Sequence, residues 1–255
     1  MDFSIKKGFY KSKGLYLNYI SFGQGKPIIF LHGGAFNALT YKTLLKLLAK
    51  NYLVIAPDLP CFGNSFVPDT PWNFADYANL LDGFINSLKL NDVVLIGHSL
   101  GGGVAWYLSL INNNITKLVL IDSSGIPLRE SKIRFYFSII KKTINEFVFY
   151  DKKIALFLIK EFFTGFIFKH LFKLSLVIKT INRLAYSSLI SGTVEIPTLI
   201  LWGNKDEVIP VKYSQEFKNL APNSQLEIVE GNHDWCLFYP DIAHSKIVDF
   251  LQQEN

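Results

Sequence analysis

Short apolar runs alternate with longer amphipathic stretches along most of this chain, and this alternation restricts the possible folds more than any other feature. Residues 28–31, 53–56 and 198–202 have the length and composition of buried strands. Residues 74–88, in contrast, carry apolar side chains at helical spacing. This order predicts the α/β class, with a mostly parallel central sheet flanked by helices. Because 49% of the 255 residues are hydrophobic, the chain can bury a sizeable core, and we expect one core domain.

The alternation is interrupted between residues 126 and 194, a stretch too long for a connecting loop and too rich in Phe, Ile, Leu and Lys for a disordered one. Between residues 162 and 178 its apolar residues recur with approximately helical spacing, and lysines between 160 and 179 interrupt the run too often for a membrane-spanning helix. We therefore predict a core made of residues 1–125 and 195–255, with residues 126–194 inserted as a helical cap. The insertion follows a strand exit, so it is expected to cover the carboxyl edge of the sheet, where ligands bind in open α/β folds.

A serine flanked by glycines, Gly97-His98-Ser99-Leu100-Gly101, lies between the apolar run 92–96 and the helix-like residues 103–108. A serine at a sharp strand-to-helix turn projects its hydroxyl from the backbone, and flanking glycines remove the Cβ atoms that would collide there. Ser99 is therefore a candidate nucleophile. A glycine-rich turn without a chemical role would also explain the glycines, but it would not require a base and an acid later in the chain.

Both partners of such a serine follow it in the sequence. A serine hydroxyl is a weak nucleophile, so a histidine must take its proton and a carboxylate must orient that histidine. His233 follows the predicted strand at 226–229, and Asp206 follows the strand at 198–202. Asp122 also follows a strand and is a second candidate for the acid. Of the charged neighbours of His233, Glu230 and Asp234 are expected to be solvated.

With strand context for all three residues, in the order Ser, Asp, His, the chain resembles the α/β-hydrolase superfamily. His32-Gly33-Gly34, after the strand at 28–31, resembles the oxyanion loop of that superfamily, in which backbone N–H groups point at the developing negative charge. The resemblance implies that Leu100 supplies one N–H donor and that Gly34 or Ala35 supplies the other. It also implies an α/β-hydrolase fold with a cap.

Residues 58–65 resemble a loop common in cap-bearing members of the superfamily, with Cys61 where a glycine is usual. Cysteine carries a Cβ atom that glycine lacks, so the geometry of this turn is open. Cys61 and Cys236 form neither a paired metal-ligand motif nor a disulfide framework, and we expect reduced, structural thiols.

A serine nucleophile restricts the reaction. Superfamily members that open epoxides or displace halide resemble one another in using an aspartate at this position, whereas a serine with a histidine base and an oxyanion hole suits acyl transfer. We predict hydrolysis of a carboxylic ester of a small or medium apolar substrate. The alternative is hydrolysis of a carbon–carbon bond in a diketone-like substrate, as in the meta-cleavage-product hydrolases, which the chain resembles in its His-Gly-Gly loop, serine elbow and inserted cap. A ligand sensor with slow turnover is a further hypothesis, although a pure binder needs neither a base nor an orienting acid.

The substrate pocket is expected between the elbow and the cap. Its expected residues are Phe36, His98, Phe162, Phe166 and Trp235. His32 and His98 are expected to form loop hydrogen bonds rather than to act directly in catalysis. The proposed chemistry is complete with side chains, backbone amides and water, so we expect no metal and no organic cofactor.

The formal net charge of +5 is modest, and Lys and Arg are dispersed along the chain, so we do not expect nucleic-acid binding. Residues 1–7 lack the continuous apolar stretch of a secretory signal, and a soluble cytoplasmic protein is the expectation. Basic amphipathic helices can bind anionic interfaces, which raises the hypothesis that the cap collects lipid-like esters at a membrane. A general richness in Lys, Asn, Ile and Phe explains the same pattern, so membrane association is not our expectation. The sequence predicts no oligomeric state.

Overall fold

Eight strands form a single sheet in the computed structural model, which describes residues 5–12, 14–186 and 192–253. The strands are β1 (Lys6–Ser12), β2 (Leu15–Phe22), β3 (Pro27–Leu31), β4 (Leu53–Pro57), β5 (Val93–His98), β6 (Ile115–Ile121), β7 (Thr198–Gly203) and β8 (Ser224–Val229). Their order across the sheet is β1-β2-β4-β3-β5-β6-β7-β8. β2 pairs antiparallel with β1 and with β4, whereas all other neighbours are parallel. The predicted α/β class with a mostly parallel sheet is confirmed.

The sequence pattern misses β1. This strand lies at the edge of the sheet, pairs only with β2 and leaves most of its side chains wholly or partly exposed. A strand of this kind carries no buried apolar run, so the pattern that predicts the central strands is absent from it.

Helices cover the sheet. They are α1 (Lys42–Leu48), α2 (Phe74–Ser87), α3 (Leu100–Ile111), α4 (Lys132–Phe149), α5 (Lys152–Lys160), α6 (Leu174–Tyr186), α7 (Lys212–Leu220), α8 (Trp235–Phe238) and α9 (Pro240–Leu251). Local chemistry fixes several helix starts: at α2, the Asn73 side chain accepts from Asp76 N–H while the Asp76 carboxylate accepts from Asn73 N–H, a reciprocal capping box. Among the described residues, none of the helices has the length and apolar character needed to cross a membrane.

The central strands are buried on both faces, which explains their continuous apolar runs. Successive residues of a strand point to opposite faces, so Ile29 and Leu31 join one core cluster with α2 and α3, while Ile28 and Phe30 join a second cluster with α1 and α9. The sheet therefore separates two hydrophobic layers, and the loops at its carboxyl edge remain available for a site.

A helical insertion separates β6 from β7, and we use this name for residues 126–194, of which 187–191 lie outside the described residues. It contains α4, α5, a π-helical turn (Glu161–Ile167), a short 3₁₀ helix (Leu171–Lys173) and α6. A hydrogen bond of 3.0 Å from Asn37 Nδ2 to Glu161 Oε2 links it to the core. The division of the chain at residues 125 and 195 stays a prediction.

The turn that carries Cys61 adopts a conformation usually reserved for glycine. Cys61 has φ +73°, its side chain is buried, and its N–H donates to Phe66 O at 3.0 Å. Burial raises the pKa of the Cys61 thiol to about 11, so the side chain is a neutral packing group at neutral pH. Cys61 and Cys236 are both buried and free.

Candidate active site

The turn between β5 and α3 holds Ser99 in a strained conformation, with φ +52° and ψ −119°. The flanking glycines are sterically required. A Cβ atom on Gly97 would lie 2.4 Å from Gly101 O, and one on Gly101 would lie 2.2 Å from Leu31 O. The Ser99 carbonyl accepts from Gly102 N–H and from Ser124 N–H, each at 2.9 Å, and these bonds fix the turn. The sharp elbow predicted from the sequence is thus the geometry that the chain adopts here.

Three side chains from three loops form a continuous hydrogen-bonded chain. His233 Nε2 lies 2.9 Å from Ser99 Oγ, and His233 Nδ1 lies 2.7 Å from Asp206 Oδ2. The other carboxylate oxygen of Asp206 accepts from the N–H groups of Val208 and Ile209 at 2.7 and 2.8 Å. Because each member is held by the next, the imidazole ring is oriented with one nitrogen toward the serine and the other toward the acid.

The charge of Asp206 sets the proton affinity of His233. Burial by itself lowers the pKa of an imidazole, but the adjacent carboxylate outweighs that effect and holds the pKa of His233 above its ordinary value. The ring is therefore well suited to hold a proton taken from Ser99.

Asp122, the second candidate for the acid, lies close to Asp206 but has a different role. Its Oδ1 accepts from Gly203 N–H at 2.7 Å, and Gly203 O in turn accepts from Asp206 N–H at 3.2 Å. Burial, reinforced by the negative charge of Asp206, raises the pKa of Asp122 well above its usual range and favours its neutral form. Asp122 thus supports the loop that carries Asp206, while Asp206 is the acid that contacts His233.

Backbone N–H groups lie beside the serine where the oxyanion loop is expected. Leu100 is the first residue of α3, so its N–H has no acceptor within the helix. A Cβ atom on Gly34 would lie 3.5 Å from Leu100 Cδ1, and Ala35 takes a left-handed conformation with φ +65°. Gly34, Ala35 and Leu100 all line the cavity at Ser99. The choice between Gly34 and Ala35 as the second donor stays open.

His98 and His32 hold these loops together. Gly33 N–H donates to Tyr41 Oη at 3.1 Å, Tyr41 Oη–H donates to His98 Nδ1 at 2.6 Å, and His98 Nε2–H donates to His233 O at 2.9 Å. Burial, together with the neighbouring His233, lowers the pKa of His98 to about 3, so its ring is neutral. His32 bridges Gly33 O and Leu59 N–H in the same manner. Both rings have the loop hydrogen bonds that their motif positions indicate.

A cavity of about 530 Å³ opens above Ser99 and His233, between the core and the helical insertion. Of the expected pocket residues, Phe36, His98, Phe162 and Phe166 line it. Trp235 does not, and its placement in the pocket is wrong: this side chain is fully buried in the core on the α1 and α9 side of the sheet, packed against the loop at Gly231. Most of the lining is aliphatic or aromatic.

A buried ionic cluster at the cavity wall joins the insertion to the loop of His233. Lys142 Nζ pairs with Asp234 and lies 3.5 Å from Glu146 Oε1, and Asn232 Nδ2 donates to Glu146 Oε1 at 2.7 Å. The expectation that Asp234 is solvated is therefore wrong, whereas Glu230 is exposed. Sequence reasoning misses this cluster, because Lys142 and Glu146 stand at the i, i+4 spacing of an ordinary solvent-exposed helix pair.

The cluster contains one cation, Lys142, and two carboxylates, and the cation does not stabilise the charge of the two carboxylates equally. Although burial opposes ionisation, Lys142 lowers the pKa of Asp234 to about 2. Burial dominates at Glu146, whose pKa rises to about 7 despite the same cation. Asp234 is thus the charged partner of Lys142 at neutral pH, and Glu146 is the group that titrates.

Replacing Glu146 with glutamine should flatten the dependence of stability on pH. The pKa of Glu146 rises from 4.5 to about 7 on folding, so the folded state loses stability from this group as the pH increases through that interval. The glutamine side chain retains an oxygen for Asn232 but cannot ionise. We expect Glu146→Gln to gain about 1–2 kcal/mol relative to wild type between pH 5.5 and pH 8, measured by urea denaturation. The surface variant Glu195→Gln should show no such gain, and parallel stability curves for Glu146→Gln and wild type would contradict the assignment.

His98, His233 and Asp234 are near enough to one another to suggest a metal site among the described residues. Their ligand atoms are already engaged. His98 Nε2 carries the proton donated to His233 O, the two ring nitrogens of His233 face Ser99 and Asp206, and Asp234 binds Lys142. The donor set therefore fits a hydrogen-bonded network better than a metal centre.

The sheet order and the serine elbow define the α/β-hydrolase fold class, and comparison with known proteins agrees. The model of the alpha/beta hydrolase family matches residues 28–242. The chain therefore belongs to the alpha/beta hydrolase family, as the sequence resemblance implies.

Individual relatives differ in their reactions. The 2-hydroxy-6-oxo-6-(2'-aminophenyl)hexa-2,4-dienoic acid hydrolase of Metapseudomonas resinovorans is 24% identical over 266 residues, which cover 96% of this chain and 90% of that protein. A solved serine hydrolase involved in carbazole degradation superposes with a TM-score of 0.81 at 21% identity, over 97% of this chain and 99% of the other. A thermophilic esterase from Thermogutta terrifontis gives a TM-score of 0.80 at 19% identity, over 97% and 98% of the two chains. At these identities the solved structures support the fold alone.

Proposed function

We propose that this protein is a serine hydrolase that cleaves carboxylic esters of small or medium apolar substrates through an acyl-enzyme on Ser99. The observation that carries the proposal is the hydrogen-bonded chain from Ser99 through His233 to Asp206 at the base of an apolar cavity. Hydroxyl, imidazole and carboxylate in this arrangement are the components of nucleophilic acyl transfer.

The proposed reaction uses these groups in turn. Ser99 Oγ attacks the ester carbonyl while His233 Nε2 takes its proton, and the Asp206 carboxylate stabilises the imidazolium that forms. The N–H groups of Leu100 and of Gly34 or Ala35 stabilise the negative charge on the carbonyl oxygen. His233 then protonates the departing alcohol. A water molecule, deprotonated by the same ring, attacks the acyl-enzyme and releases the carboxylic acid and free Ser99.

The charge in the cavity favours a neutral ester over an anionic substrate. The relative from Metapseudomonas resinovorans is named for a substrate that is a dienoic acid. Such a carboxylate needs a cation when it enters an apolar cavity. Lys142 is the only Lys or Arg among the described residues that line the cavity, and Asp234 and Glu146 already neutralise it. Carbon–carbon bond hydrolysis is therefore the second candidate, supported by the similarity to that relative.

A substrate panel tests the proposal directly. p-Nitrophenyl esters of short, medium and long acyl chains, an aliphatic lactone and a ring-cleavage dienoate would be assayed with the purified protein, against buffer and a Ser99→Ala background. We expect kcat/KM for the best ester to exceed that for the dienoate by about a hundredfold or more, a difference of about 3 kcal/mol in transition-state stabilisation. The reverse order would assign carbon–carbon bond hydrolysis. Binding of these compounds without turnover of any of them would favour the sensor.

A further inference from the structure

The exposed apolar surface of this protein is concentrated on the helical insertion. Of the twenty-two large apolar side chains that are exposed among the described residues, fifteen belong to residues 126–194. Exposed apolar residues scattered singly need no explanation, but a concentration of this size on one segment indicates an interaction surface.

The helix α4 shows the pattern most clearly, because its amphipathic character is inverted. Its exposed side carries Ile133, Phe137, Ile140, Ile144 and Val148, spaced every third or fourth residue, so they form one continuous apolar stripe. The opposite side, which faces the protein, carries the ionic pair of Lys142 and Glu146. An ordinary surface helix places these residue types the other way round.

The stripe continues to the entrance of the cavity. Five residues are both exposed and part of the cavity wall, and they come from α4, the π-helical turn and α6. They are Tyr136, Ile140, Ile144, Phe163 and Ile178. The apolar surface and the apolar cavity above Ser99 are therefore continuous.

Although Lys and Arg are dispersed along the chain, the net positive charge is concentrated on the same segment. Counted separately, residues 126–194 contain twelve Lys and Arg against four Asp and Glu, a net charge of +8, whereas the rest of the chain has a net charge of −3. At about 3.6 residues per turn, Arg134 and Lys141 lie near each other along one edge of the stripe of α4. Neither forms an ion pair with a described residue, so their charges are available to a partner.

We propose that this face of the helical insertion docks on an anionic lipid surface, with the stripe of α4 in the interfacial region and Arg134 and Lys141 on the headgroups. Apolar side chains beside cations match the boundary between acyl chains and anionic headgroups. A second copy of the chain fits less well, since two helical insertions that each carry a net charge of +8 repel each other. Docking brings the cavity entrance to the lipid, where apolar esters are dissolved. That delivery of substrate rests on the function proposed above, whereas the docking itself does not.

Vesicle flotation of the Ser99→Ala protein tests the docking without turnover. The probes are vesicles of phosphatidylcholine alone and vesicles of equal parts phosphatidylcholine and phosphatidylglycerol. We expect flotation with the anionic vesicles at about 0.05 M salt and its loss at about 0.5 M salt or on neutral vesicles. Arg134→Gln/Lys141→Gln should reduce the partition coefficient by about tenfold or more. The control Lys42→Gln/Lys50→Gln, which replaces two exposed lysines outside the helical insertion, should not.

A matched pair of phenylalanines tests the apolar contribution. Phe137 on α4 is 66% exposed and Phe9 on β1 is 67% exposed. Phe137→Ser should weaken binding to the anionic vesicles by about tenfold, and Phe9→Ser should leave it unchanged. No flotation at low salt, or equal effects of the two substitutions, would overturn the proposal. So would a dimer that Phe137→Ser dissociates and that high salt strengthens, because the face would then join two copies.

Discussion

Ser99→Ala is expected to lower the kcat/KM of ester hydrolysis by at least about 10⁴-fold, which corresponds to about 5 kcal/mol of lost transition-state stabilisation. The alanine cannot form the acyl-enzyme, and His233 then has no hydroxyl proton to take. Residual activity would come from attack by water in the cavity, aided by the N–H groups of Leu100 and of Gly34 or Ala35. The measurement is steady-state hydrolysis of the best ester found in the substrate panel.

The fold should tolerate this substitution, because alanine removes one oxygen from a turn that backbone hydrogen bonds hold. The Ser99 carbonyl keeps its hydrogen bonds to Gly102 and Ser124, and the midpoint temperature of thermal unfolding should change by only a few degrees. Ser109→Ala, in helix α3 directly after this turn, is a matched control, since the Ser109 hydroxyl donates to the carbonyl of Trp106, one turn earlier. It should retain full activity. Unchanged hydrolysis by purified Ser99→Ala would remove this residue from the mechanism.

The sequence predicts the central sheet and the elbow well, because each depends on the residue types within one short segment. A parallel strand buried on both faces must be apolar throughout, so β3, β5 and β7 stand out as short runs. The elbow stands out for a similar reason, since the clash of any Cβ at Gly97 or Gly101 with backbone oxygens leaves glycine as the residue that fits.

What the sequence does not predict depends on contacts between distant segments. The sequence predicts that Asp234 is a solvated neighbour of His233. In the structure, Lys142, ninety-two positions earlier in the insertion, contacts Asp234, and both side chains are buried. Trp235 follows directly, and the same turn directs it into the core instead of the cavity. Charge and side-chain type are local properties, whereas burial is decided by which segments pack together.

The sequence pattern also does not predict that the apolar face of α4 is exposed. On an ordinary surface helix, apolar residues at the spacing of Ile133, Phe137 and Ile140 face the core. The structure places this face outward, because the cavity and the ionic cluster occupy the inner side of α4. Periodicity reveals that a helix has two faces but not which of them meets the core.

Asp206→Asn should lower kcat/KM by about 10³–10⁴-fold, whereas Asp122→Asn should leave it within about threefold of wild type. The two carboxylates are close enough for Asp206 to raise the pKa of Asp122, yet their roles differ. Asp206 accepts from His233 at 2.7 Å and supplies the charge that stabilises the imidazolium. Asp122 favours its neutral form, so an asparagine there resembles it closely and still offers an oxygen to Gly203 N–H.

The pH profile separates loss of this charge from a merely structural effect of Asp206→Asn. His233 acts as a base only when neutral, so kcat/KM should rise with pH through the pKa of this ring. Because the Asp206 carboxylate holds that pKa above its ordinary value, removing the charge should move the acid limb to lower pH while the maximum rate falls. Asp122→Asn should leave the limb in place. A large loss of activity with a shifted limb in Asp122→Asn, and neither in Asp206→Asn, would make Asp122 the acid that orients His233.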